Sequence, residues 1–158
     1  IAQTVNVLQA VALTDGEKMV LTPTYHVFKM FKDHQNNTQL GSFITTDINL
    51  VDSKKHPSDE GNLKLPQLIE SASMDENGVI YSTIVNTSAK KQAKIKCQIA
   101  DTKIKGIRAE ILTGDIHDKN DFENGNVVYT KEFTDFRKTS DGFVAEIPPC
   151  SVVKFVIE

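Results

Sequence analysis

From about Leu40 onward, hydrophobic and polar positions alternate with period two in short runs. "GSFITTDINLV", "QLIESASM", "GVIYSTIVNTS", "AKIKCQIAD", "KGIRAEILTG", "NVVYTKEF", "GFVAEIP" and "SVVKFVIE" are rich in β-branched residues, which suit a pleated, half-buried surface. Asn77-Gly78, Asn124-Gly125 and Asp141-Gly142 supply turns between several of them. In the last run Val153, Phe155 and Ile157 alternate with Lys154 and Glu158, the pattern of a strand with one buried and one wet face. In "AKIKCQIA", Cys97 is in phase with Ile95 and Ile99 and reads as a small core hydrophobe. Roughly eight strands without intervening helices predict a two-sheet antiparallel β-sandwich of jelly-roll type. The most polar stretch, "DSKKHPSDEGN", predicts an exposed loop between strands.

The beginning of the chain follows a different pattern. "IAQTVNVLQA" is strand-like and largely apolar, with the amides Gln3 and Asn6 set among aliphatic residues. After a loop with an Asp15-Gly16 turn, "TPTYHVFKMFKDH" carries a helix-start signature, Thr22 as N-cap and Pro23 at the first helical position. The spacing predicts a helix over 23–34, with Val27, Phe28 and Phe31 on one face and Lys29 and Lys32 on the other. Tyr25, His26, Phe28 and Phe31 read as helix packing, with His26 a satisfied or exposed helix residue. Strand, long loop and helix make half of a repeating β/α unit. They precede a sandwich that needs neither, so residues 1–38 are expected to be the end of another domain and 39–158 the sandwich. Without that domain, the apolar faces of residues 1–10 and of the helix would drive self-association or fold back onto the sandwich.

Composition narrows the function. A chain of 158 residues with 39% apolar and 25% charged residues fits a globular protein. Net charge is −3, against the basic surface that nucleic-acid binding needs. No apolar run approaches the roughly 20 residues of a membrane helix. The absence of Trp and the presence of only three Tyr count against a free-standing carbohydrate-binding module. Cys97 and Cys150 leave a disulfide open, because spacing does not show whether they meet. His26, His34, His56 and His117 share no metal-ligand spacing with them, and no metal or cofactor is expected. Asp15 and Glu17 lie in the early loop. Asp115, Asp118, Asp121 and Glu123 crowd "GDIHDKNDFEN", where carboxylates most simply close turns on their own backbone. The alternatives are a Ca²⁺ site, for which the regular loop spacing is missing, or a contact between the sandwich and the preceding domain.

Four stretches, "IAQTVNVLQA", "LTDGEKMVLTPTYHVFKMFKDHQ", "LTGDIHDKNDFEN" and "IPPCSVVKFVIE", resemble the C-terminal portion of α-L-arabinofuranosidases of glycoside hydrolase family 51. The resemblance runs with gaps over nearly the whole chain. "DSKKHPSDEGNLKLPQ" is neutral to it, and "GNVVYTKEF" departs from it in a loop. It implies a catalytic (β/α)8 barrel followed by a jelly-roll sandwich, with "IAQTVNVL" the last barrel strand and "PTYHVFKMFKDH" the last barrel helix. It implies retaining hydrolysis of terminal α-L-arabinofuranosyl groups by two glutamates about 5 Å apart, an acid/base and a nucleophile. Both would precede Ile1, so no catalytic residue is assigned here and the chain alone is expected to be inactive. Gln3 is implied as a substrate-binding residue, with Asn6 stabilising backbone or loop. The implied partners are an arabinose-containing oligo- or polysaccharide, reached through the parent enzyme, and the barrel itself. Nucleic acid and membrane are not among them, and a homo-oligomer stays open. The rival reading is a stand-alone carbohydrate-binding or oligomerisation sandwich.

Overall fold

The computed structural model describes residues 3–51 and 63–158. Ile1, Ala2, His56 and the polar stretch 52–62 lie outside the described residues. In chain order the strands are β1 (Ala12–Asp15), β2 (Lys18–Leu21), β3 (Thr38–Gln39), β4 (Ile48–Val51), β5 (Leu63–Pro66), β6 (Leu68–Met74), β7 (Ile80–Asn86), β8 (Ala93–Gln98), β9 (Ile107–Thr113), β10 (Lys131–Glu132), β11 (Phe136–Lys138), β12 (Gly142–Ile147) and β13 (Ser151–Ile157). The α-helix α1 (Pro23–Phe31) continues as a 3-10 turn, Lys32–His34. One sheet has the order β10-β9-β13-β7-β6-β3 and another β11-β12-β8; β1–β2 and β4–β5 form separate pairs. All these strand pairs are antiparallel.

The two larger sheets face each other across an apolar core, as the alternation predicts. Phe143 of β12 stacks on Phe155 of β13 with ring centroids 4.1 Å apart. Phe133 and Phe136 meet Phe155 edge-on, and Ile84, Ile111, Ile147, Val153 and Ile157 are among the residues packed with them. Ile95, Cys97 and Ile99 pack against it, and Cys97 and Cys150 are both free thiols.

Two expected strands are much shorter in the structure. In "GSFITTDINLV" only Ile48–Val51 pairs as a strand. Upstream of it the chain follows β6 through single bonds, such as Leu40 N–H to the Ala72 carbonyl at 3.0 Å. In "NVVYTKEF" only Lys131–Glu132 joins the sheet, because the Val127 and Val128 N–H groups go to the Asn120 amide instead.

The beginning of the chain departs further from expectation. Residues 3–10 are bends and turns rather than a strand, with one isolated bridge to the hairpin, Val5 to Ala12, in place of a ladder. Asn6 and Gln9 have φ of 55° and 62°, which turns the chain out of the extended path. Val5 and Leu8 are 41% and 92% exposed. The expected long loop is the β1–β2 hairpin, turned at Gly16 with φ 56°.

The helix starts and ends where its signals place it, but its buried face is different. His26 and Met30 are buried while Phe28 is 55% exposed. Met30 packs with Leu112, Val128, Val27 and Val152, so α1 lies on the outer face of the larger sheet. That face was expected to be wet, yet Lys154 upon it is only 6% exposed. The helix thus rests on the sandwich through Met30 and Val27.

Candidate functional site

The 3-10 turn following α1 lowers two polar side chains onto the sheet. Asp33 Oδ2 accepts from Lys154 Nζ at 2.6 Å, and Glu110 Oε1 lies 2.7 Å from the same nitrogen. Lys154 and Glu110 are register partners on β13 and β9, so pairing sets them side by side. Burial pulls the Lys154 pKa down, but its hydrogen bonds to Asp33 and Glu110 outweigh that and leave it raised. Next to this triad His34 spans two strands, with Nδ1 2.8 Å from Ser73 Oγ on β6 and Nε2 2.8 Å from Thr83 Oγ1 on β7. A neutral imidazole, one nitrogen donating and one accepting, serves both hydroxyls. Its ring also meets Phe31 and Tyr81.

Burial lowers the His34 pKa, the Lys154 ammonium adds to this, and the Asp33 carboxylate opposes it. His26 is lowered too, by burial and then by Lys29. With folded values below the ordinary 6.5, the unfolded chain takes up protons more readily. Stability from the neutral rings is complete above about pH 6.5 and is lost as pH falls through the depressed folded values. The melting temperature is therefore expected to fall from pH 7.5 to pH 5, and less steeply in His34→Gln. An unchanged slope in that variant would remove His34 from the account.

His26 itself was expected to be satisfied or exposed. It is buried, with Nδ1 at 3.4 Å from Thr130 Oγ1 and Nε2 unpartnered among the described residues. Thr22 occupies the N-cap position with extended backbone but makes no side-chain cap. Its hydroxyl instead donates to the Ala10 carbonyl at 2.6 Å, which ties the segment before the hairpin to the start of the helix.

The acidic loop 114–130 is built from turns. Asp115 Oδ1 accepts the His117 N–H, Asp118 Oδ2 the Asp115 N–H, and Asp121 Oδ1 those of Glu123 and Asn124. Among the described residues no three His, Cys, Asp or Glu side chains come together as metal ligands. Besides Thr130, the loop makes a long-range contact through Asn120, a residue sequence reasoning passed over. Its Nδ2 donates to the Leu21 carbonyl at 2.9 Å and the Val128 carbonyl at 2.7 Å, while its Oδ1 accepts the Val127 and Val128 N–H groups. This buried amide fastens the loop to the end of β2.

Gln3 is exposed at the front of the turn segment. Three residues on, the Asn6 side chain reaches across to β1. Its Oδ1 accepts the Thr14 N–H at 2.7 Å, and its Nδ2 donates to the Thr14 carbonyl at 3.1 Å and hydroxyl at 3.0 Å. Neither amide lines the open groove of about 600 Å³ between α1 and β9–β10, whose walls include Lys29, Lys32, Arg108, Lys131 and Glu132. Val5, Leu8, Met19 and Phe28 are exposed along the segment, hairpin and helix that stand outside the core.

The fold is an antiparallel β-sandwich domain with a short helix and a strapped loop segment outside its core. The chain belongs to the family described as the α-L-arabinofuranosidase C-terminal domain, whose signature matches residues 1–151. It is 36% identical over its full length to an intracellular exo-α-L-arabinofuranosidase of Bacteroides ovatus and covers 29% of that protein. Its fold superposes on a crystal structure of the GH51 arabinofuranosidase from Xanthomonas axonopodis pv. citri with a TM-score of 0.88 and 30% identity, covering 99% of this chain and 30% of that one. The α-L-arabinofuranosidase of Thermotoga maritima, solved as an arabinose complex, shares the fold at a TM-score of 0.83 and 23% identity, with 99% of this chain and 33% of that chain covered.

Proposed function

We propose that this chain is the C-terminal part of a retaining α-L-arabinofuranosidase that removes terminal, non-reducing α-L-arabinofuranosyl groups from arabinose-containing oligo- or polysaccharides. Membership of the C-terminal domain family carries the reading. On it, residues 1–38 close the catalytic barrel and 39–158 form a sandwich that supports it. The exposed Val5, Leu8, Met19 and Phe28 favour this arrangement, since α1 sets one face on the sandwich and leaves Phe28 on a free one. The glutamate pair would lie upstream, protonating the leaving oxygen and attacking the anomeric carbon. The contribution of this chain to the reaction would be Gln3, whose exposed amide would hydrogen-bond hydroxyls of the bound arabinose. Such a bond speeds the reaction only as far as it strengthens in the transition state.

The test is hydrolysis of a nitrophenyl α-L-arabinofuranoside by the full-length protein and by this chain alone. The expected result is activity in the first and none in the second; hydrolysis by the isolated chain, or none by the whole protein, would overturn the reading. In the full-length enzyme Gln3→Ala is expected to lower kcat/KM about 10²-fold, as loss of one transition-state hydrogen bond typically does, with the melting temperature nearly unchanged. Unaltered kinetics would remove Gln3 from the sugar site.

A further inference from the structure

We infer that Asn6 is a positioning residue for the sugar-binding segment, a clasp that holds the Gln3 amide where the substrate can use it. The inference rests on the reading of Gln3 as a sugar contact. The segment before the hairpin has little else to hold it. It is not a strand, its side chains are mostly exposed, and its backbone is tied by Val11 N–H to the Thr4 carbonyl at 2.9 Å, Ala12 N–H to the same carbonyl at 3.2 Å, and Asn6 N–H to the Ala12 carbonyl at 3.2 Å.

Onto this the Asn6 side chain adds a two-way exchange with Thr14, taking its N–H and giving to its carbonyl and hydroxyl. That is how a neighbouring strand residue would pair, performed by a side-chain amide on the open edge of β1. The bond closes a loop from Asn6 to Thr14 around Gln9 and Ala10, while the Thr22 hydroxyl holds the Ala10 carbonyl from the helix side. Asn6 also accepts φ 55° to make this reach, a region Asn tolerates better than other residues that carry a Cβ. Three residues from Gln3, such a fixing sets where the sugar-binding amide stands. Misplacement by about 1 Å is enough to cost up to about 10²-fold in rate.

Glycine adopts positive φ freely, so Asn6→Gly removes the clasp and leaves the turn intact. In the full-length enzyme, with a nitrophenyl α-L-arabinofuranoside as substrate, Asn6→Gly is expected to lower kcat/KM about tenfold with melting temperature within about 2 °C of the parent. In a Gln3→Ala background the same change is expected to add less than about twofold, because a residue that acts through Gln3 has nothing left to position. Asn6→Asp, which keeps the acceptor for Thr14 N–H and loses the donor, is expected to fall between the parent and Asn6→Gly. It takes the place of Asn6→Gly if that variant does not fold.

Multiplicative losses in the double variant would overturn the inference, because Asn6 would then act independently of Gln3. So would an Asn6→Gly enzyme with parental kcat/KM while Gln3→Ala is impaired. A silent Gln3→Ala would overturn the sugar-contact reading itself and the positioning role with it.

Discussion

Phe155→Ala is expected to destabilise the sandwich by about 3–5 kcal/mol, measured as a lower urea midpoint with little change in slope. The ring is fully buried on a strand that has β9 and β7 on its two sides. It stacks on Phe143 at 4.1 Å, and the edge-on rings of Phe133 and Phe136 stand at 6.0 and 5.6 Å. Three aromatic neighbours would lose their common partner, and close-packed strands on both sides leave little room for the void to collapse. Phe28→Ala is the comparison: that ring is 55% exposed, so its removal should move the isolated chain by under about 0.5 kcal/mol. Equal losses for the two would mean that the core does not lie between the sheets.

Gly142→Ala is the other large effect, and its cause is steric. A Cβ here would run into the Cys97 carbonyl oxygen, lie 2.8 Å from its carbon and meet the Gln98 Cα at 3.2 Å. All three atoms are backbone of β8, which is paired to β12 with Gly142 opposite Gln98, so neither side yields without loss of register. A cost of about 2–3 kcal/mol is expected, at the upper end of overpacking effects. Gly16→Ala differs in kind, because nothing lies within 4 Å of its Cβ position and only φ 56° resists the change. About 1 kcal/mol is expected there. Thermal melts of the two variants would separate the mechanisms, and a Gly142→Ala variant as stable as the parent would contradict the close approach of β8 and β12.

The strands of the sandwich were legible because a half-buried strand writes its burial as alternation, and Val153, Phe155 and Ile157 do so plainly. The helix was legible through Thr22-Pro23, although the Thr22 hydroxyl turned out to serve the Ala10 carbonyl rather than the helix start. What alternation does not report is whether the second face is covered. Lys154 looked wet because its carboxylate Asp33 lies 121 residues away in sequence, and no local pattern links them. The face of α1 was misjudged for the same reason: Phe28 is more hydrophobic than His26, but the sheet offers a seat at His26 and Met30. Asn120 looked like one turn-former in an acidic loop, and its bond to Leu21 spans 99 residues. Residues 3–10 have the composition of a strand, yet strand propensity reflects available neighbours more than the residues themselves. Here the neighbour is one hairpin edge, which gives a single bridge at Val5 and side-chain bonds to Asn6 in place of a strand ladder.

The fastening of α1 to the larger sheet has a mechanical corollary. Severing Asp33 from Lys154 would leave a buried ammonium with half of its counter-charge, so the helix and the sheet open and close together as one cooperative unit. Leu21 is held by Asn120 and the helix by Met30, Asp33 and His34, so the first freely deformable point lies further toward the N-terminus. Displacement of the segment before the hairpin would leave the helix moving with the sandwich.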